Sequence, residues 1–265
     1  MNNEIIAIHE NIYKILPPYK DIYTTVCAVK TPAGAVLFDA ASFDADAEGY
    51  ILPMLEALNI GKADLKYIFI SHNHKDHAGA LAELLKHFPD VTVLSRSAAL
   101  KEKLVGYKVY APEDGEAVLE VLRAVTIPGH TEDCMALLDT RTGTLITGDC
   151  LQVYGVFGSQ DWGANIGFPV EYMEAIEKAR GLGVREIYTA HDYHPCGNCA
   201  KGDAQISRML DGCIEPLNRI CNLIKENPSK SDEDIRLLYN AVKEVPPIST
   251  RVVGAVRKAI LQGKM

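Results

Sequence analysis

The sequence predicts an α/β sandwich of four layers, two mixed β-sheets back to back with helices outside, followed by a C-terminal helical appendage. Three observations carry that reading. Short apolar runs of strand type crowd two separated stretches, residues 5–38 and 118–147. After each of them the apolar spacing turns helical, so helices follow strands in both halves. Beyond Gly202 the strand signal stops and three helical segments follow.

In chain order, residues 5–8, 12–16, 24–29 and 35–38 read as strands, with Pro17-Pro18 and Pro32-Ala33-Gly34 as turns. The last two form a hairpin that closes on Asp39. Residues 47–58 have helical spacing, and Gly61 stops them. Residues 66–71 form a strand of buried type. A helix over 76–88 then places Leu81, Leu84, Leu85 and Phe88 on one face, and Pro89 ends it. A strand at 91–94 and a short helix at 98–104 complete the first half. Strands at 118–122, 125–127, 135–138 and 145–147 follow, with Arg141-Thr142-Gly143 as a hairpin turn. A helix over 171–182 leads to a strand at 186–190 that ends on His191. Helices over 204–226, 232–243 and 250–262 make the appendage, broken at Asn227-Pro228-Ser229 and Pro246-Pro247. Ser231 to Asp234 has the Ser-x-x-acid form of a helix start. The expected division is a sandwich over residues 1–202 and a helical extension over 203–265 packed on it.

Composition narrows the function classes. The chain has 265 residues, 48% of them hydrophobic, enough for one large domain with an appendage. A net charge of −8 disfavours nucleic acid and anionic membranes as partners. No apolar run approaches the roughly 20 residues that span a bilayer. The first ten residues lack the basic-then-apolar order of a signal peptide. The seven cysteines are odd in number and scattered, which fits reduced thiols. A cytoplasmic protein acting on a small molecule is therefore expected, with homo-oligomerisation left open.

The chemistry concentrates in Ser71-His72-Asn73-His74-Lys75-Asp76-His77, which holds three of the eight histidines. Imidazole and carboxylate are ligands for zinc and similar divalent ions. Residues two apart in an extended segment point the same way, so His72 and His74 can share one metal. Asp76 and His77, at the helix start, face back over the same spot. Three further strand ends offer donors: Gly129-His130-Thr131, Gly148-Asp149-Cys150 and Ala190-His191-Asp192. Strand ends are where α/β architectures place their chemistry.

These motifs, in this order, resemble those of the metallo-β-lactamase-fold hydrolase superfamily over roughly residues 1–200. Asp39 matches that family's early aspartate, although Ala40-Ala41 stand where the family usually has Thr-Gly. The resemblance implies the αββα sandwich and a two-metal site. His72, His74 and His130 would hold the first ion, Asp76, His77 and His191 the second, and Asp149 would bridge them. Seven ligands exceed one tetrahedral zinc but suit two divalent ions, Zn2+ first and Fe or Mn as alternatives, sharing a carboxylate and a hydroxide. Asp76 is the candidate for holding that hydroxide and receiving its proton. Asp39 is expected to fix a ligand histidine from behind.

Tyr193 and His194, beside the last ligand, are candidates to donate a proton to the substrate, with loop packing as the plain alternative. Trp162 sits in a glycine-rich loop, residues 155–167, that is expected to border the pocket. Cys196 and Cys199 form a Cys-x-x-Cys pair without a second pair to complete a four-thiolate site. The other five cysteines read as buried thiols, and Lys75 as a solvent-facing residue.

Departures within the superfamily select the branch. Asp149 stands where the antibiotic-cleaving β-lactamases carry Cys or Ser, and His74 where flavodiiron oxygen reductases carry Glu. What remains resembles hydroxyacylglutathione hydrolase (glyoxalase II), the lactonases and small thioesterases. That implies a metal-bridging hydroxide that cleaves an ester, thioester or lactone. The Gly-Cys-Gly-Arg stretch that glyoxalase II often shows after its bridging aspartate is absent here. The alternative is a persulfide dioxygenase-like oxidoreductase with one iron on His72, His130 and Asp149, suggested by the stretch from Tyr188 to His194. A phosphodiesterase ranks below both.

Overall fold

The computed structural model describes residues 4–157, 162–242 and 244–265. The chain forms two compact units, residues 1–126 with 135–141, and residues 127–134 with 142–265.

The first unit is built on a seven-stranded mixed sheet. Its strands are β1 (Ile6–His9), β2 (Ile12–Ile15), β5 (Val26–Thr31), β6 (Gly34–Phe38), β7 (Leu65–Phe69), β8 (Thr92–Leu94) and β9 (Lys108–Tyr110), in that order across the sheet. The short pair β3 (Pro18–Tyr19) and β4 (Ile22–Tyr23) stands apart. Pairing is antiparallel from β1 to β6 and parallel from β6 to β9. Parallel neighbours need crossover connections, and helices supply them. Between β6 and β7 run α1 (Asp44–Asp46), a π-helical turn (Ala47–Ile51) and α2 (Leu52–Ala57). Between β7 and β8 run α3 (Lys75–Ala78) and α4 (Leu81–His87), and α5 (Ala98–Lys103) precedes β9. Ala28, Leu37, Ile68 and Val93 of the strands pack with Ile51, Leu55, Leu81, Leu84 and Leu85 of the helices in one buried cluster. Three antiparallel strands complete this unit: β10 (Ala117–Val118), β11 (Leu122–Thr126) and β12 (Met135–Asp139).

In the second unit, β13 (Thr144–Ile146) pairs in parallel with β14 (Glu186–Tyr193), and α6 (Pro169–Gly181) lies between them in sequence. β14 turns back antiparallel into β15 (Gly197–Lys201). The helices α7 (Gly202–Glu226), α8 (Asp232–Asn240) and α9 (Thr250–Leu261) follow. Ser231 caps α8, accepting from the Asp234 N–H while the Asp234 carboxylate accepts from Ser231. Ile206, Leu210, Leu217, Ile220 and Ile224 form the buried stripe of α7, at the spacing of an amphipathic helix. Among the described residues no helix is long and apolar enough to cross a membrane.

Several elements differ from the expected ones. The strand predicted over 118–122 is a hairpin turn, because Leu119 and Glu120 adopt φ of 49° and 63°. Apolar Val118, Val121 and Leu122 disguise that turn as a strand. The helix expected over 76–88 breaks at Gly79 and Ala80 into α3 and α4. The helix expected to start at 47 starts at Asp44, and its π turn ends where Pro53 lacks an N–H to continue the usual ladder. β9 and β15 were not expected, and β14 runs past His191 to Tyr193.

Candidate metal centre

Each unit carries its own group of donors. In the first, β7 ends at Phe69, the chain bends at Ser71 and again at Asn73, and His74 is extended, with φ and ψ of −82° and 157°. That geometry brings the His72 and His74 rings to 4.5 Å between centroids. The chain then turns into α3, which swings His77 to 4.2 Å from the His72 ring. His77 Nε2 lies 3.3 Å from Asp76 Oδ2. His72, Asp76 and His77 are buried and His74 is half-buried.

Asp39 and Ser71 decide which imidazole nitrogen faces outward. The Ser71 N–H donates to Asp39 Oδ1 at 2.7 Å, and the Ser71 hydroxyl donates to Oδ2 at 2.9 Å. His77 Nδ1 lies 2.7 Å from the same Oδ2. A carboxylate oxygen accepts only, so His77 carries its hydrogen on Nδ1 and presents a lone pair at Nε2. Ser71 has one hydroxyl hydrogen, already given to Asp39. It therefore accepts from His72 Nδ1, 3.1 Å away, and His72 also presents Nε2 as a lone pair. Burial pushes the Asp39 carboxyl up, while the His77 imidazole and the Ser71 donors pull it down. Thr24 donates to Asp76 Oδ2 at 3.2 Å.

In the second unit, His130 follows Gly129, whose φ of 141° and whose contact with Tyr172 leave no room for a side chain. His130 Nδ1 lies 2.5 Å from the Asn165 carbonyl, which again places the hydrogen on Nδ1 and turns Nε2 outward. Nε2 sits 3.8 Å from Asp149 Oδ2. His191 Nε2, from β14, sits 3.1 Å from Asp149 Oδ1. Asp149 is buried and held from behind: the Tyr193 hydroxyl donates to its Oδ1 at 2.7 Å, and Gln152 Nε2 donates to its carbonyl at 2.9 Å. Gln152 Nε2 also donates to the Tyr193 hydroxyl, at 3.1 Å.

The donor chemistry fits divalent cations. Three imidazoles have their Nδ1 hydrogens committed to a carboxylate, a hydroxyl and a carbonyl, which fixes the tautomer and ring orientation that ligation needs. In the first unit the donor atoms of His72 and His74 lie within 4.8 Å of each other, as do those of Asp76 and His77; in the second so do those of Asp149 and His191.

The remaining sequence candidates have defined places. Tyr193 is 1% exposed and spends its hydroxyl hydrogen on Asp149, so it acts through that carboxylate. The His194 ring stacks on Phe157 at 5.6 Å and 15°, with Tyr154 edge-on at 6.1 Å. Trp162 accepts at its carbonyl from the Val156 N–H, at 2.7 Å. The loop expected to border the pocket includes residues 158–161, which lie outside the described residues. The exposed Lys75 sets its ammonium 4.3 Å from the centre of the Phe43 ring. Cys27, Cys134, Cys150, Cys213 and Cys221 are buried thiols, as expected. Sequence reasoning missed Gln152 and Arg251. Nothing in their own neighbourhoods marks them, and Arg251 is 86 residues from the Asn165 it holds.

Comparisons with known proteins agree with the motifs. A family model described as the metallo-beta-lactamase superfamily matches residues 21–191. A hydroxyacylglutathione hydrolase of Nostoc punctiforme is 28% identical over 203 residues, 74% of either chain. One from Rippkaea orientalis is 32% identical over 152 residues, and the match spans 53% of this chain and 56% of that protein. Among solved structures, a metallo-beta-lactamase family protein from Thermus thermophilus has a TM-score of 0.66 at 16% identity, covering 97% of this chain and 95% of that one. A flavo di-iron protein variant from Thermotoga maritima has a TM-score of 0.63 at 20% identity, covering 82% and 61%. At these identities the structures speak for the fold alone, a mixed α/β architecture with two sheets, flanking helices and a C-terminal helical region. The family match over residues 21–191, well over half of the chain, shows that the chain belongs to the metallo-beta-lactamase superfamily.

Proposed function

We propose that the protein is a metal-dependent hydrolase that cleaves an ester, thioester or lactone bond in a small molecule, on a site for two divalent ions. His72, His74 and His130 would hold one ion, Asp76, His77 and His191 the other, and Asp149 would lie between them. The observation that carries the reading is the fixed tautomer of His72, His77 and His130, each presenting Nε2. Hydroxyacylglutathione hydrolases among the relatives support the acyl-transfer class. A bound pair of divalent ions, most simply Zn2+, would make a strong nucleophile of water at neutral pH and polarise the acyl oxygen.

The chain's own residues do the rest. Asp39 and Ser71 hold two imidazoles in orientation before any ligand arrives. Asp76, whose Oδ2 accepts from Thr24, would orient the attacking water and take its proton. Tyr193 and Gln152 hold the Asp149 carboxylate in place.

Metal content of the purified protein, read beside a panel of ester, thioester and lactone substrates, tests the proposal. About two zinc per chain with turnover on the panel supports it. One iron per chain with sulfide-dependent oxygen uptake would replace it with the oxidoreductase reading. Asp76→Asn refines the role of that residue: turnover near pH 7 should fall about 10²–10⁴-fold while most of the metal stays bound. Parallel loss of both would reduce Asp76 to a ligand.

A further inference from the structure

We infer that Arg251, on the C-terminal helix α9, is a positioning residue for His130. The inference rests on the metal-site reading above. Asn165 is the link. Its carbonyl takes the Nδ1 hydrogen of His130 at 2.5 Å. Its backbone N–H donates to Gln152 Oε1 at 2.9 Å. Its side-chain oxygen accepts from the Arg251 guanidinium. Three directions are thereby fixed at one residue, and only the Arg251 bond comes from the helical extension.

The segment that carries Arg251 is itself held. Ile248 is buried, its N–H donates to Asn240 Oδ1 at 2.9 Å, and its carbonyl accepts from Asn240 Nδ2 at 3.1 Å. The Pro247 carbonyl lies against Gly163, where a Cβ would overlap it. Gly163 is two residues before Asn165 and bridges to Gly155. Residues 247–251 therefore press on the loop at Gly163 and tie it at Asn165. Without that tie the Asn165 carbonyl would be free to rotate away, and His130 would lose the acceptor that selects its tautomer. Outer partners of a ligating histidine are typically worth about 10–100-fold in metal affinity.

The test uses the full chain loaded with Zn2+, with the dissociation constants of its ions read by competition against a chromophoric chelator. The absorption spectrum of the Co2+-substituted protein is the second readout. Arg251→Ala should weaken one ion about 10-fold, leave the other within about 2-fold, and alter the Co2+ spectrum. Arg251→Lys should recover part of that loss. Asn165→Ala, which keeps Arg251, should weaken the same ion. The double variant should be no worse than the weaker single, because both break one link. Wild-type affinities in both single variants would overturn the inference, and so would equal weakening of both ions or additive losses. A wild-type protein that takes up no metal would remove the hydrolase reading first, and this one with it.

Discussion

At the scale of single residues, the donors are defined by what stands behind them. Asp39 was legible as an outer partner because it follows an apolar strand and matches the early aspartate of the resembled family, with turn capping as the plain alternative, and it meets His77 at 2.7 Å. Its two partnerships with Ser71 were not legible, because Ser71 reads as the first residue of the motif and nothing more. Asp39→Asn should weaken the ion proposed for His77 about 10–100-fold in a chelator competition, since an amide either gives His77 its wrong end or loses the charge. An unchanged affinity would show that the Asp39 carboxylate does not orient the ring. The cysteines make a second test. Burial pushes the Cys27 thiol up to about 12 and Cys213 to about 11, so neither supplies thiolate at neutral pH. Only Cys196 and Cys199 are partly exposed, so a disulfide reagent at pH 8 should label two of seven thiols in the folded protein and all seven in denaturant. Rapid labelling of more than two would contradict the burial of the rest.

At the scale of elements, the turn into α3 shows why some of the fold was readable and some was not. The strand leading to Ser71 and the donor spacing follow from period and residue type. The break after Ala78 does not, because its cause is a distant backbone. The Gly79 N–H donates to the Ala41 carbonyl at 2.9 Å, and the Ala40 N–H donates to the His77 carbonyl at 2.7 Å. Asp39 and Ala41 take φ of 63° and 53° to allow this, a conformation that costs non-glycine residues roughly 1–2 kcal/mol. A Cβ on Gly79 would overlap the Ser42 carbonyl oxygen. Gly79→Ala should therefore cost about 1–3 kcal/mol in urea unfolding, by pushing the 39–42 segment off α3. A loss below about 0.5 kcal/mol would mean the approach is looser than described. The same logic explains β15. Its residues, Gly-Asn-Cys-Ala-Lys, have no strand pattern of their own, and pairing with β14 makes them a strand.

For the whole molecule, the fold class was legible because two strand-rich stretches and the helices after them are long-range regularities that survive local errors of a few residues. The supporting network in the second unit was not, because Asn165, Gln152 and Arg251 meet only through the fold. That network, like the one behind His77, keeps buried imidazoles and carboxylates close together, with His191 3.1 Å and His130 3.8 Å from Asp149. Grouped donors of this kind are dear to bury and gain most from a cation that binds the folded chain and not the unfolded one. At free metal about 100 times its dissociation constant, each of the proposed ions would add about 2.7 kcal/mol to stability. For a chain of 265 residues that corresponds to a rise in Tm of roughly 5–10 °C per ion. Stripping with a chelator should lower Tm by that amount, and returning Zn2+ should restore it. His72→Ala with His74→Ala and His130→Ala should remove the part of the shift that belongs to their ion and leave the rest. A melting temperature that ignores both chelator and zinc would mean that these histidines hold no cation, and the hydrolase reading would fall with them.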